Sequence, residues 1–255
     1  MVLGKLLILA PTLAALASDW SPPPNPNPQA ILREARADAT AGRNENALAK
    51  YVWFHHNAVK LNKALYGVRN SFAVSDWARL GKAYAPALAK MRETRDAALE
   101  DVKQGKNTRE AFGDVVAINR ALGEDDRTHE LFLHLDAKQP EMAKQVYRIA
   151  QRILIEKKEY KLCGKYLDLE EATPRLTKSV QYIPEIHRVE RFSPSAKARI
   201  IQMHIDGCAT FIALLAINGR HDDAVKVANA LRKEWDDPGF HSAMDRALKG
   251  ELPKR

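Results

Sequence analysis

Gly42-Arg43-Asn44-Glu45-Asn46-Ala47-Leu48 returns late in the chain as Gly219-Arg220-His221-Asp222-Asp223-Ala224-Val225. Both phrases set glycine, a basic residue, a polar triplet, alanine and an aliphatic residue in the same order. Glycine has the backbone freedom to close one helix in a tight turn. An alanine five positions on is small enough to let the next helix lie close against the one before. The phrase therefore predicts a helical hairpin, and its return predicts a repeated one.

Two more stretches follow the same plan. Leu122-Gly123 is followed by Thr128, Phe132, Leu135 and Pro140, in the order turn glycine, small residue, aromatic, core residue and closing proline. Tyr160 and Cys163 in Lys157-Lys158-Glu159-Tyr160-Lys161-Leu162-Cys163 read as another helix start. With Leu88, Gly123 and Lys158 taken as equivalent points, the step is 35 residues twice. Trp77-x2-Leu80-Gly81-x2-Tyr84 adds an aromatic, aliphatic, glycine and aromatic at helical spacing.

Together these residues resemble the tetratricopeptide-repeat (TPR) superfamily in degenerate form, whose units of about 34 residues carry such a Trp-Leu-Gly-Tyr first helix. The resemblance extends over residues 29–250 and implies about four to five units. It implies an all-α fold, an α-solenoid with a right-handed superhelical twist and no significant sheet. Such units cannot bury an apolar stripe alone and must stack on their neighbours. The chain is also similar to predicted-exported bacterial proteins of TPR-like organisation, a similarity that brings no assigned activity.

Helical periodicity supports this class directly. Phe112, Val115, Val116, Ile118 and Asn119 share a face that excludes Asp114 and Arg120, and Val146, Ile149, Ala150 and Ile153 make a second stripe. Asn107-Thr108-Arg109-Glu110 reads as a capping box, and Ser193-Pro194 as a cap followed by a first-turn proline. Residues 29–168 then form the main repeat array. Residues 169–192, with Pro174 and Pro184, read as an irregular insertion, and 193–255 as C-terminal TPR-like helices. A long helix from Pro194 to Ile217 ends in the apolar run Cys208–Ile217, which alone is too short to span a bilayer.

The first residues carry a different signal. Lys5, an apolar stretch from Leu6 and the ending Ala15-Leu16-Ala17 read as a signal peptide, residues 1–17, cleaved after Ala17. Residues 18–28, with Ser21-Pro22-Pro23-Pro24-Asn25-Pro26-Asn27-Pro28, read as an extended linker. The expectation is an exported protein, periplasmic or secreted. Cys163 and Cys208 fall where a repeat buries a small residue, so buried free thiols are the default and a bridge between them the alternative.

The formal charge is +8, an excess that favours anionic partners. Charges of both signs are interspersed, as in Arg232-Lys233-Glu234 beside Asp236-Asp237, so much of the excess is solvated helix surface. His129-Glu130-x3-His134 misses the metalloprotease pattern, because histidines five apart diverge by about 140° around a helix. Of the adjacent His55 and His56, one is expected beside Trp53 and Phe54 and the other in solvent. No phosphate loop, nucleophile elbow or glycine-rich dinucleotide turn occurs. Asp125-Asp126, Glu170-Glu171 and Asp222-Asp223 sit where helices begin, and there they favour the helix dipole. No catalytic residue, metal or cofactor is implied.

The TPR resemblance implies a partner groove lined by the first helix of each unit. On this chain that groove takes Lys82, Arg120, Lys144, Tyr147, Arg148 and Gln151, the last four at helical spacing opposite an apolar stripe. Such a surface suits an acidic protein or an extended peptide. The leading function is therefore a non-catalytic scaffold of the bacterial envelope. An RNA-binding helical repeat is a second reading, disfavoured by the few aromatics beside the basic positions. An enzyme whose site assembles across repeats, such as a carboxylate-based hydrolase, is a third.

Overall fold

The computed structural model describes residues 18–254. The expected signal peptide, residues 1–17, lies outside them. The described chain is all-α, and no β-strand occurs among the described residues. The described residues form two compact units that divide between Ile149 and Ala150. This division falls within a helix, and not at the stretch 169–192 that the sequence marks as a break.

The first unit begins with α1 (Pro28–Thr40), capped by the Asn27 side chain, which accepts from the Ala30 N–H. It continues through α2 (Asn44–Leu61) to α3 (Tyr66–Val68). A π-helical turn at Arg69–Ala73 then leads into α4 (Val74–Ala83), followed by α5 (Ala85–Lys103). Next come α6 (Thr108–Leu122), α7 (Asp125–Lys138) and α8 (Pro140–Glu156), which carries the chain into the second unit. That unit contains α9 (Tyr160–Lys165), α10 (Leu169–Gln181) and α11 (Ile183–Arg188). It ends with α12 (Pro194–Ile217), α13 (His221–Arg232) and α14 (Pro238–Leu248).

The same left-handed helix end, present also at Gly105 and Gly250, leads straight into the next helix at four places. Gly42, Gly123, Lys158 and Gly219 all take the left-handed conformation, with φ of 74°, 72°, 60° and 75°. In each, two backbone bonds close the preceding helix. Gly42 N–H donates to Ala39 O and Arg43 N–H to Asp38 O, and the same pair recurs at Gly123/Glu124, Lys158/Glu159 and Gly219/Arg220. These bonds satisfy carbonyls that a helix end leaves without partners. The next helix starts two residues later every time, at Asn44, Asp125, Tyr160 and His221. Three residues into it, Ala47, Thr128, Cys163 and Ala224 are each 0% exposed. Sequence phrase and geometry agree at all four places.

The Trp77 motif is set differently. Trp77, Leu80 and Gly81 are buried, and a side chain at Gly81 would press on Leu88 at 3.3 Å, so glycine lets α4 and α5 approach closely. Trp77 is 1% exposed and donates from Nε1 to Ala87 O at 3.0 Å. The motif occupies the last turns of its helix, however, and Tyr84 lies beyond the helix end with extended backbone (φ −135°, ψ 96°). Leu88 is inside α5 and is not a turn residue, so the first of the two 35-residue steps does not join equivalent points.

Other boundaries refine the sequence reading. Ser193 caps α12 by accepting from Ala196 N–H, with Pro194 in the first turn. Asn107 instead takes a left-handed conformation (φ 43°) and its side chain makes no cap bond, so the expected capping box is not formed. The 169–192 stretch is regular over most of its length. Asp168 caps α10, and Pro174 is carried inside that helix at the cost of one backbone bond. Residues 18–27 are non-helical as expected, but they do not form a free linker. Ser18 Oγ donates to Asn46 Oδ1 at 2.7 Å, and Trp20 meets Trp53 edge-on at 6.4 Å.

In the second unit α12 is the central element. It is 24 residues long with a mean hydropathy of 1.7 over its most apolar window, enough by length and composition to cross a membrane. Cys208, Ala209 and Phe211–Ala216 are nevertheless buried, with α9, α10, α13 and α14 packed on the helix, as in a core element. Both cysteines are free and buried, and burial pushes the Cys208 thiol up to about 12.

Lys158 provides a test of the turn. A non-glycine residue in the left-handed region costs about 1–2 kcal/mol, offset in part by the chain entropy of glycine. Lys158→Gly should therefore stabilise the protein by up to about 1 kcal/mol, and Gly123→Ala should destabilise it by about 1 kcal/mol, in urea denaturation. Trp77→Ala should lose about 3–5 kcal/mol. A loss below about half a kcal/mol would be the signature of a surface residue.

Candidate functional site

The residues of the expected groove fall on several helices. Lys82 on α4, Arg120 on α6, and Lys144 and Arg148 one turn apart on α8 are all exposed. Tyr147 is buried, with its ring 6.4 Å from that of Phe132, and belongs to the core rather than to a binding face. The tyrosine sits beside the apolar stripe, and its large ring turns inward to fill space against α7. Gln151 is half-buried and lies in the second unit, whereas the other five belong to the first.

The polar constellation in the first unit lies elsewhere. Arg69, at the start of the π-helical turn, is buried and pairs with Asp114 of α6. The same guanidinium reaches Glu110 at 3.3 Å, donates to His55 O at 3.3 Å and donates to Asn70 Oδ1 at 3.1 Å. It also stacks over the Tyr66 ring, 5.5 Å from the centroid. π-turns widen a helix by one residue per turn and recur at functional positions. This one buries Arg69 and Ala73 while Ser71 and Phe72 stay exposed.

Asp114 also faces His55, whose Nε2 lies 3.6 Å from Oδ2. The carboxylate favours a hydrogen on Nε2, which leaves Nδ1 as the acceptor. His55 is 4% exposed and its Nδ1 has no hydrogen-bond partner. The ring is held between His56 and Trp77, with centroids 5.4 and 6.0 Å away. His56 is the exposed member of the pair, as the sequence suggests. Its ring is nonetheless partly desolvated by its neighbours, and this, followed by the charges of His55, Lys60 and Lys90, holds the His56 imidazole below its ordinary pKa. Burial, and then Asp114, push the Tyr66 phenol up.

These groups open on a cavity of about 260 Å³ lined by His55, His56, Arg69, Thr94, Asp101 and Asp114 among others. His55 Nδ1 stays buried and without a hydrogen-bond partner beside this cavity. The Thr94 hydroxyl donates back to Lys90 O within its own helix, and both cysteines lie in the other unit. The lining also carries Lys60, Asp101 and Glu110, and Asp114 faces the ring. The local chemistry is polar recognition and charge burial, with Arg69 and Asp114 tying the π-turn to α6.

Two other buried ion pairs do similar work in this unit. Lys50 pairs with Asp38 at 2.7 Å and joins α2 to α1, and Arg95 pairs with Glu124 and joins α5 to the turn before α7. Burial would raise the Asp38 carboxyl, but hydrogen bonds from Lys50 and Arg43 outweigh it and hold it below the carboxylate range. The paired carboxylates of the sequence behave as helix starts, with Asp125-Asp126, Glu170-Glu171 and Asp222-Asp223 in the first turns of α7, α10 and α13.

No protein-family model, curated protein or solved structure matches the chain.

Sequence reasoning missed the Arg69 cluster because its partners lie far apart in the chain and follow no periodic pattern. The periodicity of α6 set Asp114 off the apolar face and so gave no hint of it. Breaking a buried ion pair on one side leaves a stranded charge, worth about 3–5 kcal/mol. Arg69→Met should lose that much in urea denaturation. The double variant Arg69→Met/Asp114→Asn should lose less than the sum of the two single changes.

Proposed function

We propose that this chain is a non-catalytic interaction protein of the bacterial envelope, built from degenerate TPR-like hairpins that stack as an α-solenoid. Its partner would be an acidic protein or an extended peptide. The observation that carries the reading is the four-fold recurrence of one helix turn with a fully buried small residue at the same offset. A turn repeated at this fidelity makes hairpins of one kind, and hairpins of one kind bury their stripes by stacking. Such arrays work by presenting surface to partners.

Export is supported by the charged, apolar and small-residue pattern of residues 1–17. An acidic partner is supported by the exposed Lys82, Arg120, Lys144 and Arg148, together with the formal charge of +8. Tyr147 drops out of the partner surface because it is buried. The surface is thus defined by cations without an aromatic anchor, which favours salt-sensitive recognition over insertion into a pocket.

The test uses residues 18–255 as bait against the native envelope fraction, washed at low and at high salt. The expected result is a stoichiometric partner released by salt. Lys144→Glu with Arg148→Glu should weaken its binding about tenfold or more while leaving the circular-dichroism melt unchanged. Undiminished affinity in that variant would move the site off α8, and the absence of any retained partner would overturn the scaffold reading.

A further inference from the structure

We propose that two copies of this chain pair through the N-terminal half of α12, as antiparallel helices related by a two-fold axis beside Met203. The helix is uneven along its length. Its buried residues, Cys208, Ala209 and Phe211–Ala216, all lie in the C-terminal half. From Pro194 to Gly207 no residue is buried, although this half carries Ile200, Ile201, Met203 and Ile205. The most apolar window of α12 is thus only 44% buried.

The uncovered side forms a stripe. Ala196, Ile200, Met203 and Gly207 fall at i, i+4, i+7 and i+11, along one face of the helix. Met203 is 72% exposed, more than any other large apolar side chain among the described residues. Tyr182 is 52% exposed with its ring 6.2 Å from that of His204, and it widens the patch on one flank. Gly207 has no positive φ, and a side chain there would meet nothing within 4 Å. A glycine inside a helix costs about 0.5–1 kcal/mol against alanine, and no packing within the chain asks for one here.

Charge decides what covers this face. Arg199 and Asp206 are seven residues apart, two turns, on the flank opposite Tyr182. Arg199 is exposed. Asp206 accepts a hydrogen bond from Gln202 Nε2 at 2.8 Å, and no cation pairs with it among the described residues. A lipid tail or an apolar peptide would leave both charges unmatched at its edge.

A second copy laid antiparallel matches them. With Met203 against the partner's Met203, Arg199, four residues before it, crosses the partner's Gly207, four residues after it. The missing side chain gives the arginine stem room, and the guanidinium comes to the partner's Asp206. The two-fold axis makes this contact twice. A parallel pair would instead set Arg199 against Arg199. Stable interfaces bury about 1,200–2,000 Å² in total, more than one helix pair of this length provides, so the dimer forms and parts at micromolar concentrations.

The test is sedimentation equilibrium of the chain over a concentration series up to about 200 μM. The expected result is a reversible monomer–dimer equilibrium. Met203→Glu should weaken it about tenfold or more, as should Arg199→Asp or Asp206→Arg alone. Each variant should keep its circular-dichroism melt, because none of the three positions is buried. The double reversal Arg199→Asp/Asp206→Arg should restore the dimer to within about threefold of the parent. The proposal is overturned by any of three results: a chain that stays monomeric throughout, a dimer that Met203→Glu leaves intact, or a double reversal that pairs no more tightly than its single changes.

Discussion

Four hairpins of this chain depend on one backbone constraint, a single residue held in the left-handed region at a helix end. That residue reverses the chain in two steps and lets two amides close on carbonyls the helix leaves open. The reversal sets the next helix nearly against the last, and the side chain at the point of contact must then be small. Ala47, Thr128, Cys163 and Ala224 meet that demand with four different residue types. Size is therefore what the position selects. Glycine is favoured at the turn itself, but Lys158 shows that the packing behind it outweighs the strain of a side chain there.

This division explains what was legible in the sequence. Turn and small residue lie five positions apart, so the signal is local and survives in one chain without any comparison. The same holds for the long helix α12 and for the Ser193 cap. The turn between α4 and α5 was misplaced because it works by another device: Tyr84 in extended backbone and no left-handed residue. Counting back from Gly123 by a fixed step therefore lands on Leu88, inside a helix. The Asn107 capping box failed for a related reason, since that residue is itself left-handed and cannot turn its side chain onto the helix amides.

The candidate site was less legible because it is built from long-range charge. Helical spacing separates buried from exposed positions, and Lys144 and Arg148 are exposed. It cannot say how wide the buried arc is, and Tyr147 sits at that edge. Nor can spacing find Arg69 and Asp114, which meet only because the π-turn rotates one face of its helix toward α6. Buried ion pairs of this kind add little net stability compared with apolar packing, yet removing one partner is expensive.

The Arg69 cluster shows how charge can hold the first unit rigid. The arginine, the two carboxylates and the backbone carbonyl of His55 bind α2, the π-turn and α6 together. A ligand entering the cavity beside them must compete with these bonds for the same atoms, and a molecule that won would loosen the ties between elements.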